Sequence, residues 1–150
     1  MGLSNSIDFA GGKLFGSFYW GKSNSVTNET GMIKSVSNLH SSAFGIGFLK
    51  SAILTSDDNL TITIDQPIRI ESGMMQLDIP IYRTKQKNVL FNAINFNLNP
   101  SGREIHSKAQ YFSSYKNIGF GFTVGYKADP YHIKFMDDYW YMSFGLNIDL

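Results

Sequence analysis

The chain has 150 residues and a formal net charge of +1, from 13 Lys and Arg against 12 Asp and Glu residues. This length is enough for one domain with its own core. The near-zero charge argues against a nucleic-acid-binding protein, which normally carries a basic patch. Cysteine is absent, so disulfide bonds and thiolate metal sites are excluded. An aromatic content of 15% and 14 glycines are typical of twisted antiparallel strands joined by tight turns.

The N-terminal stretch MGLSNSIDFAGG lacks the basic start and the apolar segment of a secretory signal. No window of about 20 apolar residues occurs, so the sequence predicts no transmembrane helix. The strands of a transmembrane β-barrel need only about 9–11 residues, and their signal is alternation rather than overall hydropathy. Composition therefore leaves a membrane barrel open.

Alternation of apolar and polar residues recurs along the chain. A strand has a side-chain period of two, so each alternating segment predicts a strand with one apolar face. No segment has the period of an amphipathic helix. The predicted strands are, in chain order, GKLFGSFYW (12–20), SAFGIGFLKSAIL (42–54), NLTITIDQPIRIE (59–71), MMQLDIPIY (74–82), NAINFNLN (92–99), EIHSKAQYF (104–112), IGFGFTVGY (118–126) and WYMSFGLNIDL (140–150). The sequence therefore predicts an all-β chain.

The connections between these segments differ in length. TSDDN, ESG, TKQKN, NPSGR and YKN are short polar links of the kind found in hairpins. Two links are long, 21–40 and 127–138, and an up-and-down strand order places both at the same end. Outer-membrane barrels have long external loops and short periplasmic turns. We therefore predict an antiparallel up-and-down β-barrel of about eight strands, of the outer-membrane type, in which residues 1–150 form a single domain.

A soluble β-barrel or sandwich is the alternative that alternation leaves open, because there too one face of each strand is apolar and packs into a core. Such a protein would bind a small apolar ligand or a protein partner. The segment 59–71 favours the membrane, since at about 3.3 Å per residue it would span about 40 Å. Aromatic residues near predicted strand ends fit the interfacial girdles of a membrane barrel. They are Tyr19, Trp20, Tyr139, Trp140 and Tyr141.

Charged residues of both signs fall on the non-apolar faces of the predicted strands or close to their ends. Arg or Lys facing the bilayer midplane costs about 2–4 kcal/mol, so in a membrane barrel these side chains would point inward. They are Asp65, Arg69, Asp78, Arg103, Glu104 and Lys108. We predict that they form a lumenal polar network that closes the pore, because about eight strands leave an interior just filled by side chains. A polar conduction path is the functional alternative.

No constellation of residues predicts catalysis, a metal site or a cofactor. The histidines are His40 and His132, in predicted loops, and His106, on a polar strand face. No pair has the spacing of metal ligands, and no G-x-S-x-G context is present. The carboxylate pairs Asp57-Asp58 and Asp137-Asp138 are interpreted as solvated turn residues. The chain is therefore predicted not to be an enzyme and to need no cofactor.

One run of motifs goes beyond periodicity. The phrases HSSAFGIGF, LTITIDQPIRIESG, LDIPIYR, LNPSGREI and DPYH follow one another between residues 40 and 132. Together they resemble the C-terminal region that follows the catalytic domain in autotransporter-type subtilisin-like (family S8) serine peptidases of proteobacteria. The resemblance covers the chain from about Ser41 to its end. It depends on QPIRIESG and PSGREI occurring together at similar spacing.

The resemblance implies a non-catalytic β-domain in the outer membrane of a Gram-negative bacterium, the C-terminal part of a longer protein. Its role would be to anchor or translocate a peptidase-like passenger at the cell surface. The implied partners are outer-membrane lipid, the barrel-assembly machinery and an N-terminal passenger domain, with no nucleic acid. The Asp, His and Ser contexts of a subtilisin-like active site are absent from this chain.

Overall fold

The computed structural model of the chain describes residues 1–148. Eleven β-strands and one short 3₁₀ turn account for its secondary structure, which confirms the prediction of an all-β chain. The strands are β1 (Gly2–Phe9), β2 (Gly12–Ser23), β3 (Val26–Thr27), β4 (Ile33–Val36), β5 (Leu39–Ser51), β6 (Asp58–Ser72), β7 (Met74–Arg83), β8 (Val89–Asn97), β9 (Ile105–Tyr115), β10 (Ile118–Ala128) and β11 (Tyr139–Ile148). The 3₁₀ turn is Pro130–His132. No helix among the described residues is long and apolar enough to cross a bilayer.

The strands form two sheets. One has seven strands in the order β1-β2-β5-β6-β9-β10-β11, and the other has four in the order β3-β4-β7-β8. The pairs β1–β2, β6–β9, β9–β10 and β10–β11 are antiparallel. A Cβ on Gly45 would meet Ser17 and Asp65, and one on Gly47 would meet Phe15 and Thr63. Numbers that rise along β5 thus fall along β2 and β6, which makes these neighbours antiparallel as well.

The chain divides into two compact units. The first holds residues 1–19, 43–68 and 101 onward, and the second holds residues 20–42 and 69–100.

The first strand was not predicted from the sequence. Its stretch Ser4-Asn5-Ser6 interrupts the apolar pattern, and it is held instead by pairing with β2, in which Ile7 stands opposite Leu14. Ala10 and Gly11, at φ 49° and 71°, make the two-residue turn of this hairpin. The predicted long link 21–40 was also wrong in part, because it contains β3, β4 and the start of β5.

The links of the seven-stranded sheet alternate strictly between short and long. Residues 10–11, 52–57 and 116–117 join strands at one end of the sheet. Residues 24–38, 73–104 and 129–138 follow β2, β6 and β10 at the other end, and the first two of these contain the strands of the second sheet. Because the strands are antiparallel, every short link begins and ends at one end of the sheet, and every long link begins and ends at the opposite end.

The register gives the seven-stranded sheet two chemically different faces. Ile62 stands opposite Ala109, which stands opposite Val124 and then Met142. We call this side the apolar face. Its residues include Leu60, Ile62, Ile64, Ala109, Tyr111, Phe120, Phe122, Val124, Met142, Phe144, Leu146 and Ile148.

The next row of the sheet is polar throughout: Thr61, Gln110, Thr123 and Ser143 stand side by side. We call this side the polar face, and it also carries Thr63, Asp65, His106, Lys108 and Lys127. Tyr139 and Tyr141 lie on the polar face as well, opposite Lys127 and Gly125. Trp140 lies on the opposite side, since it pairs with Tyr126 on the apolar face.

No hydrophobic residue is buried among the described residues. Ile62 and Ile64, in the middle of the sheet, are 47% and 44% exposed. The buried residues with polar or charged side chains are Asp58, Gln66, Arg69, Glu104 and Ser113. Burial in this chain is thus the reverse of that in a soluble domain, where apolar side chains fill the interior.

Tyr141 packs closely on Gly125 near the edge of the sheet, so a side chain at position 125 is expected to destabilise this part of the fold. A Cβ on Gly125 would lie 2.3 Å from the Tyr141 ring, whereas a Cβ on Gly145 would meet nothing within 4 Å. We expect Gly125→Ala to displace Tyr141 and to destabilise the fold by about 1–3 kcal/mol, and Gly145→Ala to have little effect. Chemical unfolding and amide hydrogen exchange in β11 measure both. Equal effects of the two substitutions would contradict this packing.

Candidate functional site

The polar face carries a cluster of four ionisable side chains where β6, β9 and β10 run side by side. We define the charged cluster as Asp65, Glu104, His106 and Lys127. Nδ1 of His106 lies 3.3 Å from Oδ2 of Asp65, and its Nε2 contacts Oε1 of Glu104. The same Glu104 oxygen lies 3.6 Å from Nζ of Lys127. The imidazole of His106 thus bridges two carboxylates that come from different parts of the chain.

The Glu104 carboxylate also holds the loop that follows β10. Its Oε2 accepts a hydrogen bond from the Tyr131 N–H at 2.5 Å. Burial by itself would raise the pKa of Glu104, but the hydrogen bonds from His106 and the Tyr131 N–H, with the charge of Lys127, lower that pKa below its usual 4.5. Glu104 is therefore held as a carboxylate that ties the loop to the polar face.

The same loop is fixed by the ring of His132. Its Nδ1 accepts the Glu104 N–H at 2.9 Å, so its Nε2 carries the proton and donates to the Ile68 carbonyl at 3.1 Å. The backbone here is unusual, since Asp129, Tyr131 and His132 have φ of 44°, 59° and 61°. Non-glycine residues in this region cost about 1–3 kcal/mol each. The hydrogen bonds from strand and loop offset that cost.

Further hydrogen bonds hold the base of this loop. The Asp129 Oδ2 accepts the Arg103 N–H at 3.0 Å, and the Gly102 N–H donates to the His132 carbonyl at 2.7 Å. A Cβ on Gly102 would lie 2.6 Å from the Lys134 nitrogen, so this approach requires glycine. Asp138 accepts the Tyr126 hydroxyl at 2.6 Å and the Asp129 N–H at 2.9 Å, and these two bonds lower its pKa.

Parts of three motifs singled out in the sequence therefore meet in the first unit. Gln66, from QPIRIESG, accepts a hydrogen bond from the Arg103 guanidinium of PSGREI. PSGREI in turn binds DPYH through Gly102, Arg103 and Glu104. Gln66 is only 2% exposed although it falls on an apolar position of the alternating pattern. Spacing in the sequence gave no sign of this convergence, because the motifs are 24 or more residues apart.

Two of the predicted network residues lie in the second unit. Arg69 binds Oε2 of Glu71 at 2.5 Å and donates to the Pro100 carbonyl at 3.0 Å, while the Ser42 hydroxyl donates to Glu71 at 2.5 Å. Asp78 lies 3.8 Å from Nζ of Lys34.

The other four predicted residues lie in the first unit. In the first unit, Asp65 and Glu104 share His106, and Arg103 binds Gln66. Lys108 lies on the polar face between Thr63 and Gly125. Sequence analysis missed His106 and Lys127 as members of the charged cluster. The sign that the sequence offered was that both residues alternate with apolar neighbours, His106 on β9 and Lys127 on β10, which places them on the polar face.

Asp58 closes the opposite, short-link end of the sheet. Its carboxylate accepts the N–H groups of Ile53, Leu54 and Thr55 at 2.6, 2.8 and 2.9 Å, and the Tyr111 hydroxyl at 2.9 Å. Asp58 is 1% exposed, so its interpretation as a solvated turn residue was wrong. His40 was also misplaced, because it lies in β5 with its ring 5.5 Å from that of Trp20.

The low pKa of Glu104 gives a prediction with a definite sign. A carboxyl whose pKa is lowered on folding stabilises the protein above its unfolded pKa, and the contribution is lost as the pH falls through the folded value. We expect wild type to be more stable than Glu104→Gln at pH 7, and the difference to shrink below about pH 4.5. Urea unfolding of both proteins between pH 7 and pH 3 measures it. A difference that stays constant over this range would contradict the assignment.

No group of three His, Asp or Glu residues within 1–148 is arranged to hold a metal ion. The chain matches no protein-family model, no curated protein and no solved structure. Function is therefore inferred from the geometry of these residues.

Proposed function

We propose that this chain is a non-catalytic β-barrel domain of the outer membrane, which anchors or translocates a passenger at the cell surface. The observation that carries the proposal is the exposed apolar face of the seven-stranded sheet. In a soluble barrel or sandwich that face would form a core, yet no hydrophobic residue among the described ones is buried. Acyl chains of lipid are the environment that such a face fits.

The strand lengths and links support the same proposal. Strands β2, β5, β6, β9, β10 and β11 have 10 to 15 residues each, enough to cross a bilayer when tilted. Short links at one end and long links at the other match the periplasmic turns and external loops of outer-membrane barrels. In this proposal the end with the long links, which holds the charged cluster, faces the cell exterior.

The polar face would line the interior of the barrel. The charged cluster and the Arg103–Gln66 contact place paired charges on that side, where they avoid the cost of facing lipid. The loop held by Glu104 and His132 lies against the same side, which supports a closed interior rather than a conduction path.

The passenger and the origin of the domain rest on the resemblance to autotransporter-type subtilisin-like peptidases. Its motifs QPIRIESG, PSGREI and DPYH contribute residues to one set of hydrogen bonds, and these bonds are a structural reason for the motifs to occur together. We propose on this basis that the domain follows a peptidase-like passenger in a Gram-negative bacterium and is inserted by the barrel-assembly machinery.

Single cysteines test which face meets lipid, because the natural chain has none. Val124 and Thr123 are neighbours on β10 and lie on the apolar and the polar face. Val124→Cys and Thr123→Cys would each be labelled with a small fluorophore and the chain refolded into vesicles that contain brominated lipid. We expect strong quenching at position 124 and weak quenching at position 123. Equal quenching at both positions, or none at either, would refute the membrane proposal.

A further inference from the structure

The two outer strands of the seven-stranded sheet, β1 and β11, have an open hydrogen-bonding edge. Each is paired on one side only, β1 with β2 and β11 with β10, in the part of the chain that the structure describes. β11 is paired with β10 over ten consecutive residues without a bulge. Its sequence YWYMSFGLNI contains no charged residue and no proline. Edge strands of soluble proteins are normally protected from pairing by charged residues, prolines or bulges. Since β11 has none of these, its edge is suited to pair with another strand.

The direction of the strands limits what the partner can be. Neighbouring strands are antiparallel across the sheet, and the sheet has seven of them. The first and the last strand of an odd-numbered antiparallel sheet run in the same direction, so β1 and β11 could meet only as parallel strands. Closure of an antiparallel barrel therefore needs an odd number of additional strands between these two edges.

A second copy of the chain does not meet this requirement in a membrane. Two copies inserted in the same orientation would bring β11 of one beside β1 of the other, again as parallel strands. Pairing of β11 with β11 would be antiparallel, but it would turn one copy upside down and place its long links on the opposite side of the bilayer. The occupant must therefore be a different strand or strands.

We propose that β1 and β11 are docking edges for an odd number of amphipathic strands other than β1–β11, which run antiparallel to both edges and complete the wall of the barrel; this proposal rests on the proposed function. The partner strand next to β11 alternates apolar and polar residues. Its apolar residues continue the row of Trp140, Met142, Phe144, Leu146 and Ile148, and its polar residues lie beside Ser143 and Asn147.

Extension of the full chain by copies of its own strands tests the proposal. A copy of residues 116–128 added after Leu150 supplies the two-residue turn and the β10 strand, and so makes an eighth strand that runs antiparallel to β11 and β1. The control carries a copy of residues 116–148, whose ninth strand runs parallel to β1. Amide hydrogen exchange in β1 and β11 is measured for both variants and for the unextended chain after refolding in detergent.

We expect exchange in both β1 and β11 to slow by about tenfold or more in the eight-strand variant. In the nine-strand control only β11 gains protection, and β1 exchanges as in the unextended chain. Equal protection of β1 in the two variants would overturn the proposal, and so would no protection of β1 in the eight-strand variant. Protection, in the unextended chain, of those β1 or β11 amides that point away from β2 and β10 would also overturn it. If that protection rises with protein concentration, the occupant is a second copy.

Quenching at positions 123 and 124 reports the face that meets lipid whether or not the edges are paired. A failure of the docking proposal is therefore distinguishable from a failure of the membrane proposal.

Discussion

The substitution Ile62→Arg is expected to prevent stable insertion into lipid. Ile62 lies in β6 within the apolar row that also contains Ala109, Val124 and Met142, which are near the middle of β9, β10 and β11. An arginine on the lipid side at the bilayer midplane costs about 2–4 kcal/mol, with a smaller cost near the interfaces. The Asp58 carboxylate lies on the same side of β6, but it is four residues away and already accepts four hydrogen bonds, so we expect a cost near the upper limit of that range. Refolding yield and urea unfolding in vesicles measure it.

The neighbouring residue provides a matched control. Thr61 lies one position away on the opposite face, in the polar row with Gln110 and Thr123. The substitution Thr61→Arg introduces the same side chain at almost the same depth, and we expect it to be tolerated with a much smaller loss of stability. If Thr61→Arg proves to be the more damaging change, the face that carries Ile62 does not meet lipid and the anchoring function is wrong.

The substitution Asp58→Ala, at the start of β6, is expected to destabilise the short-link end of the sheet strongly. It removes the acceptor of the Ile53, Leu54 and Thr55 N–H groups and of the Tyr111 hydroxyl at once. Unpaired donors at a buried site are costly because they lose water without gaining a partner. We expect the urea midpoint of unfolding to fall by about 1 M, with faster hydrogen exchange in residues 52–57.

Asp57 is the control for this experiment, since it is the adjacent residue of the same type and is exposed. Asp57→Ala should leave the unfolding midpoint almost unchanged. Tyr111→Phe removes one of the four donors and should give an intermediate effect. Similar midpoints for the Asp57 and Asp58 variants would show that the four hydrogen bonds do not hold this end of the sheet.

Much of the fold could be predicted from local pattern because strand side chains repeat with a period of two. Alternation alone predicted which residues of 61–64 on β6 and of 118–126 on β10 lie on the apolar face and which lie on the polar face. The register of the strands agrees with this prediction. The short turns at 84–88 and 116–117 were located by their polar residues. Strand β1 escaped detection because its central residues are serine and asparagine, so only its partner β2 specifies it.

The candidate site was less predictable, because it depends on contacts between residues far apart in sequence. His106 meets Asp65 and Glu104, and His132 meets Glu104 and Ile68. Neither set has a spacing that a local pattern can register. Asp58 is a similar case, since an aspartate in a polar turn is indistinguishable in sequence from its exposed neighbour Asp57 until the chain folds around it.

The sequence by itself determined that the chain is all-β, which residues of the long strands share a face, and that no segment is apolar enough to form a membrane-spanning helix. Each of these follows from the local pattern of apolar and polar residues. Only the tertiary structure decided the order of strands, the separation of β3, β4, β7 and β8 into a second sheet, and the grouping of Glu104, His106 and His132. The physical reason is that strand pairing is non-local. Every strand carries the same N–H and C=O groups along its edge, so these groups do not identify its neighbour. Which strand pairs with them depends on contacts between residues far apart in sequence.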